Sequence, residues 1–262
     1  MTTHIHLEHG MSILKARLEH PFPGVPGGTS HAVIPFLTLS REVCAGATTL
    51  GRALLPRLNA EFGEDGQEWV LLDKDLVNYA LTRHDLSERL ARYLPEDQVS
   101  GIEATIGEII GLHPSIWELE HQVAQTIVQL AHVGRFIFVG RAAHLLTQSL
   151  AGGFHVRLVA GKEARIRRYM ELHNCGADEA EASLDQADLG RRRFVRAHFG
   201  KDVSDPHTYD LIINTDRISS GTATTLVLEG LRQRVEGQTY GSWYTAQRAT
   251  PVPPSAPVTS AV

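Results

Sequence analysis

Five short apolar runs, spaced by helix-length segments, restrict the fold of this chain more than any other feature of its sequence. They are AVIPFLTLS (32–40), EWVLLD (68–73), RFIFVG (135–140), FHVRLVA (154–160) and YDLIIN (209–214). Pro35 limits where pairing can start in the first run, because proline cannot donate to a ladder. Between the first two runs, Leu50, Leu54, Leu55 and Leu58 recur at helical spacing. A longer helical block spans about 76–133, interrupted near YLPEDQ and LHPS. Nearly continuous apolar strands joined by helices require a sheet buried on both faces, so the expected fold is α/β with a three-layer, doubly wound parallel sheet. Such sheets bind ligands beyond the carboxyl ends of their strands. That rule directs attention to 40–48, 73–75, 140–144 and 161–168, each of which carries charge or glycine.

Composition narrows the setting. The 262 residues, 42% hydrophobic and 21% charged, suffice for one sizeable core. A net charge of -5 gives no general footprint for a nucleic-acid polymer or an anionic membrane. No apolar run approaches the roughly 20 residues of a membrane span, and the N-terminus shows no export signal. Cys44 and Cys175 make no disulfide framework, which fits a cytoplasmic protein. Residues 1–32 read as a flexible arm and 247–262, rich in proline, serine and alanine, as a disordered tail. The ordered domain is expected over 33–246. Nothing in the sequence fixes the oligomeric state.

The stretch LSREVCAGATTLGRAL (39–54) lies where a strand should pass into a helix. Against the phosphate-binding pattern G-x-x-x-x-G-K-[ST], Gly46 takes the second glycine, Arg41 the first, Ala47 the lysine and Thr48 the hydroxyl. Such a loop holds phosphate chiefly through backbone N–H groups and the positive end of the following helix, and those parts survive the loss of lysine. Cys44, Ala45, Gly46, Ala47, Thr48 and Thr49 then form the cradle, with Thr48 or Thr49 supplying the hydroxyl on the Mg²⁺ side. The missing cation must come from an arginine: Arg41, Arg52 or one supplied by a distant lobe. The alternative is an ordinary strand–turn–helix in which a threonine caps the helix.

A basic lobe follows the fourth run. Arg165 and Arg168 stand three apart on one helix face, and Asp188 stands three and four residues before Arg191 and Arg192. Six arginines between 165 and 193, on an acidic chain, form an anion site if they converge. Gly190 weakens its helix by about 1 kcal/mol, which suits a hinge.

In order, these pieces resemble the cytidylate kinase-like family of P-loop nucleoside monophosphate kinases. SREVCAGATTLG retains Ser40, Arg41, Gly46 and Gly51 of the family's S-R-x-x-G-S-G-G-x-x-x-G loop. LDKDLV with Asp73 and Lys74, and VGRAAH with Gly140 and Arg141, match its motifs after the second and third strands. Asp188, Arg191, Arg193, Gly200, Lys201, Asp202, Asp205 and Pro206 match its lid, and YDLIINT (209–215) its closing strand. Cys44 and Ala47 replace glycines, and GRAAH lacks the acidic residue that follows the arginine in authentic cytidylate kinases.

The resemblance implies a P-loop NTPase-type fold with two helical insertions, an acceptor lobe at about 76–133 and a lid at about 161–206. It implies ATP and Mg²⁺ as cofactors and nucleotide substrates as partners. Residues 41–49 would hold donor phosphates. Asp73 and Arg141, with Arg165 and Arg168, would face the substrates. Arg191 and Arg193, with Asp188, would close onto the transferring group. Two alternatives stay open: a nucleotide-binding regulator without catalysis, and a kinase of a non-nucleotide small molecule.

Overall fold

The computed structural model describes residues 34–63, 68–73, 117–140 and 142–236. The expected N-terminal arm, C-terminal tail and most of the acceptor lobe lie outside the described residues, as does Arg141. Each of the five apolar runs contains a strand: β1 (Phe36–Arg41), β2 (Val70–Leu72), β3 (Phe136–Val139), β4 (Gly153–Val159) and β5 (Leu211–Asn214). They pair in parallel in the order β2-β3-β1-β4-β5. β1 is therefore central. The chain moves from it to one edge through β2 and later to the other through β4 and β5, and the crevice beyond β1 is the topological switch point.

The sheet is covered on both faces because its residues alternate between two cores. Leu37 and Leu39 of β1, Ile137 and Val139 of β3, and Val156 and Leu158 of β4 face helices α1 (Ala47–Phe62) and α6 (Ser220–Val235). Leu50, Leu54 and Leu58 of α1 are buried there, as their spacing predicts. On the other face Phe36, Phe136 and Phe138 pack with Val70 and Leu72 of β2 against α2 (Trp117–Val133) and the short α3 (Ala143–Leu146). The expected three-layer α/β architecture is present.

Beyond the carboxyl edge stand α4 (Lys162–His173) and α5 (Ala177–Phe199), joined through residues 174–176. Both fall within 161–206, the range for which the resemblance implies a lid. α5 runs unbroken through Gly190, so the hinge expected there is a continuous helix in this state.

Packing against the sheet leaves little slack. A methyl group at Gly230 of α6 would lie 2.3 Å from the Phe154 ring. Alanine would gain about 1 kcal/mol in helix propensity, but forcing an extra group into a packed core costs about 1–3 kcal/mol. Gly230→Ala is expected to destabilise the protein by about 1 kcal/mol in urea unfolding, the steric cost exceeding the propensity gain.

Candidate functional site

The loop after β1 is shaped by two left-handed residues, Cys44 (φ 58) and Gly46 (φ 86). Left-handed turns of this kind let backbone amides line an anion-binding concavity. Gly46 is the residue before α1 and offers no side chain to cap that helix. The first-turn amides of Ala47, Thr48 and Thr49, which lack intrahelical acceptors, thus receive no cap from the residue before the helix. Ala45 and Ala47 are buried in the core, while Thr48 and Thr49 are exposed at the mouth of the loop. A strand–turn–helix is thus present, but Thr48 and Thr49 lie inside the helix and neither is its N-cap, and the lysine position is filled by a core methyl group.

The loop is tied to α4 and α5. Asp188 of α5 accepts the Val43 N–H through Oδ1 at 2.9 Å and an Arg191 Nη1 bond at 3.1 Å. Its Oδ2 accepts from Arg165 Nη1 at 2.5 Å. Arg165 is buried; it also donates Nε to the Ala160 carbonyl and stands 3.6 Å from Glu42. Glu42 in turn accepts the Ala160 N–H at 3.0 Å. Arg168 donates to the Cys44 carbonyl, the Thr215 hydroxyl and carbonyl, and the Asp216 carboxylate. Arg165 and Arg168, expected to face substrate, engage the loop carbonyls of Val43 and Cys44 and the carboxylates of Glu42, Asp188 and Asp216. The cause is positional: α4 starts directly after β4, the neighbour of β1, so its first turns lie against the loop. Burial raises the Cys44 thiol pKa, with Arg165, Arg168 and Arg191 pulling the other way.

A cavity of about 350 Å³ opens beside this clamp, beyond the carboxyl ends of β1 and β3. Ser40, Arg41, Val139 and Gly140 form one wall; Ala187, Gly190, Arg191 and Phe194 of α5 form another. His144 and Val203 contribute to the lining. Among the described residues the lining contains two guanidinium groups and no carboxylate. Gly140 (φ 85) lies so close to Arg41 that a methyl group there would overlap its guanidinium. Arg191 reaches the cavity, whereas Arg193 is exposed and is not part of the lining. Two residues advance a helix by about 200°, so the pair cannot share a face. Arg52 is exposed on α1, and Asp73 follows β2, one strand beyond β3 at the same sheet edge.

Behind the cavity lies a buried polar stripe that the sequence reading did not single out. Thr38 and Ser40 of β1 pair in register with His155 and Arg157 of β4. Thr38 Oγ1 and His155 Nδ1 are 2.9 Å apart, and Arg157 donates to Ser40 Oγ at 3.2 Å. Tyr209 joins them, its hydroxyl 3.1 Å from Ser40 Oγ and donating to the Val203 carbonyl at 2.7 Å. His144 stacks on the Tyr209 ring at 4.6 Å. A visible signal was polar residues at alternate positions, 38 with 40 and 155 with 157, inside two otherwise apolar runs.

A model of the cytidylate kinase-like family matches residues 36–217. The chain belongs to that family. A cytidylate kinase from Pyrococcus horikoshii is 22% identical over 157 residues, covering 60% of this chain and 79% of that one. An uncharacterized protein from Eubacterium ventriosum shares the fold at TM-score 0.60 and 16% identity, over 76% of this chain and 98% of the other. A shikimate kinase from Bacteroides thetaiotaomicron aligns at TM-score 0.41 and 17% identity, over 77% and 98%. Membership in this kinase-like family gives phosphoryl transfer as the general class of chemistry. Among the described residues no helix is long and apolar enough to cross a membrane. No cluster of three or more His, Cys, Asp or Glu among them is placed to hold a metal.

Two stability predictions follow from this geometry. Asp188→Ala removes a carboxylate shared by a buried and a half-buried guanidinium. It is expected to cost about 3 kcal/mol in urea unfolding, the lower end of the range for a broken buried pair, because Glu42 remains near Arg165. The two histidines set the acid limb. Burial lowers His144 to about 3, helped by His155 and Arg157. Burial also lowers His155 to about 4, opposed by Asp210 and helped by Arg234. Both are neutral in the folded state where the unfolded chain begins to protonate near its ordinary value of 6.5. Their stabilising contribution is therefore complete above that value and lost as pH falls toward 4. Thermal midpoints are expected to drop from pH 6.5 to pH 4, and His155→Gln should flatten that slope.

Proposed function

We propose that the protein is a kinase that transfers a phosphoryl group from ATP to a nucleoside monophosphate or a similar small phosphorylated acceptor. The observation carrying this reading is the cavity at the end of β1, which Arg41 and Arg191 both line. It lies beside the α1 N-terminus, which has no side-chain cap. Family membership supplies the reaction class, and the relative named cytidylate kinase motivates the nucleotide acceptor.

In this reading the amides of 46–49 hold donor phosphates, because a helix N-terminus favours anions. Arg191 holds the charge of the transferring group and takes the part that a loop lysine would play. Asp188 orients Arg191, which leaves the guanidinium aimed at the cavity wall. Arg165 and Arg168 fix the path of the loop by holding its carbonyls. Arg41 braces the β1–β3 side, and Arg141 and Asp73 are assigned to the acceptor. Arg193 is assigned to the outer face of the lid, from which it approaches only when α5 moves. The exposed Thr48 hydroxyl suits Mg²⁺, which needs one or two protein oxygens beside phosphate and water. When bound, that ion neutralises charge on the bridging phosphate oxygens. The lid excludes water, which would otherwise compete as acceptor.

A regulator that binds nucleotide without turning it over is the second reading. Ala47 favours it, since the lysine position holds a buried methyl group. So does Asp188, which takes the Val43 amide that a phosphate could use. Coupled ATPase assays over a panel of monophosphates, sugars and acids separate the two. The kinase reading predicts multiple turnover with at least one acceptor. It also predicts that Arg191→Ala lowers kcat/KM by about 100-fold or more, with a far smaller loss for Arg193→Ala. Tight ATP binding with no turnover on any acceptor would establish the regulator instead.

A further inference from the structure

The solvent face of α5 is divided by charge. Every carboxylate of the helix precedes Leu189, from Asp178 to Asp188, and every guanidinium follows it, from Arg191 to Arg196. Asp178, Ala182, Asp185, Leu189, Arg193 and Arg196 recur at steps of three and four, so they share one stripe. All six are exposed, Leu189 by 41%. A helix's own field favours acids in its first turn and cations in its last, and it fades beyond them. Asp185 and Arg193 lie well inside both ends, so that field does not account for them.

Pairing within the chain does not account for the cationic half either. Arg192 and Arg193 make no ion pair among the described residues. One turn back from Arg193 stand Leu189 and Gly190; one turn back from Arg196 stand Arg192 and Arg193. Like charges at that spacing destabilise a helix, and an anion from outside relieves them. Arg196 also lies within the field of Asp202, after the helix. In the acidic half, Lys162 of α4 bridges Glu181 and Asp185 at 2.6 and 3.0 Å, yet leaves them 50% and 60% exposed. That one ammonium faces four exposed carboxylates, those of Asp178, Glu179, Glu181 and Asp185, so the half stays anionic.

We propose that this face pairs two copies of the chain, α5 against α5 and antiparallel, about a twofold axis through Leu189. A twofold contact uses one patch twice, so residues equally far on either side of the axis meet across it. Four residues from Leu189 in the two directions are Asp185 and Arg193. Seven residues away are Ala182 and Arg196, with Asp178 one turn beyond Ala182. Each copy thus sets its acidic half against the guanidinium groups of the other, and the two exposed leucines meet at the centre. A second copy fits this stripe better than a purely acidic or basic partner, which would satisfy only half of it. One helix per copy makes a small interface, below about 1,200 Å² in total, so the pair is weak, transient and sensitive to salt. The pairing is independent of the kinase reading.

Sedimentation velocity on the full chain tests the pairing. In about 50 mM salt the mass is expected to rise from 28.8 kDa toward twice that value between about 5 and about 500 µM chain. In about 500 mM salt the dissociation constant should weaken at least ~10-fold. Asp185→Arg and Arg193→Glu each set like charges against one another across the axis, and each should weaken self-association at least ~10-fold. Mixed in equal amounts, the two variants restore opposite charges at both contacts. Heterodimers should then form within about 3-fold of the wild-type affinity. Both positions are exposed, and circular dichroism checks that each variant is folded. Leu189→Lys brings two ammonium groups to the axis and supplies the same test should a reversal unfold the chain. A wild type that stays at 28.8 kDa throughout overturns the proposal, as does a dimer indifferent to these substitutions. A mixture of the two reversals that stays monomeric contradicts the antiparallel register.

Discussion

One carboxylate holds the functional end of this molecule together. Asp188 accepts the Val43 amide of the β1–α1 loop, the buried Arg165 of α4 and its own helix neighbour Arg191. A single charge thereby fixes the path of the loop, the seat of α4 and the direction of the guanidinium that lines the cavity. Buried ion pairs add little net stability, because desolvating both partners offsets most of their attraction. Their value is geometric, since removing either partner leaves the other charge uncompensated. The clamp is best understood as a device of position, linking the lid to the strand end where phosphate chemistry is proposed.

The loss of the loop lysine makes sense against this clamp. Ala47 is buried among the α1 and sheet residues, so its side chain is part of the core. In the proposed reading α5 supplies the cation instead, through Arg191, which lines the cavity and is bonded to Asp188. Arg165 and Arg168 hold carbonyls, so their contribution is rigidity of the cradle. Guanidinium groups suit both tasks because they stay charged and present several donors in a fixed plane. The same clamp has a cost for anion binding, since the Val43 amide is already taken.

The architecture was legible in the sequence because a fully buried parallel strand leaves a plain mark. RFIFVG and FHVRLVA are short, apolar and bounded by glycine or polar residues, and each holds a strand within a residue or two of its ends. The Leu50, Leu54 and Leu58 spacing marked α1 in the same way. Side-chain direction beyond the strands was much less legible. Arg165 and Arg168 do share a face, but only the three-dimensional placement of α4 beside the loop shows that this face meets carbonyls. Arg191 and Arg193 were read together, yet helical geometry separates them. Arg157 and His155 were hidden inside a run read as strand; their alternation with apolar neighbours, matched by Thr38 and Ser40, was the signal that both belong to one buried stripe. His144 and Tyr209 lie 65 positions apart in the chain, and no local pattern joins them.

In the proposed function a polyphosphate sits on the amides of the β1–α1 loop, with the Arg191 guanidinium supplying the cation that the loop lacks. A crystal structure with Mg²⁺ and a non-hydrolysable ATP analogue tests it most directly. The predicted density places the terminal phosphates against the backbone N–H groups of 46–49, with Arg191 within hydrogen-bonding distance of a phosphate oxygen. A nucleotide bound elsewhere on the sheet edge, with Arg191 still turned only to Asp188, would contradict it.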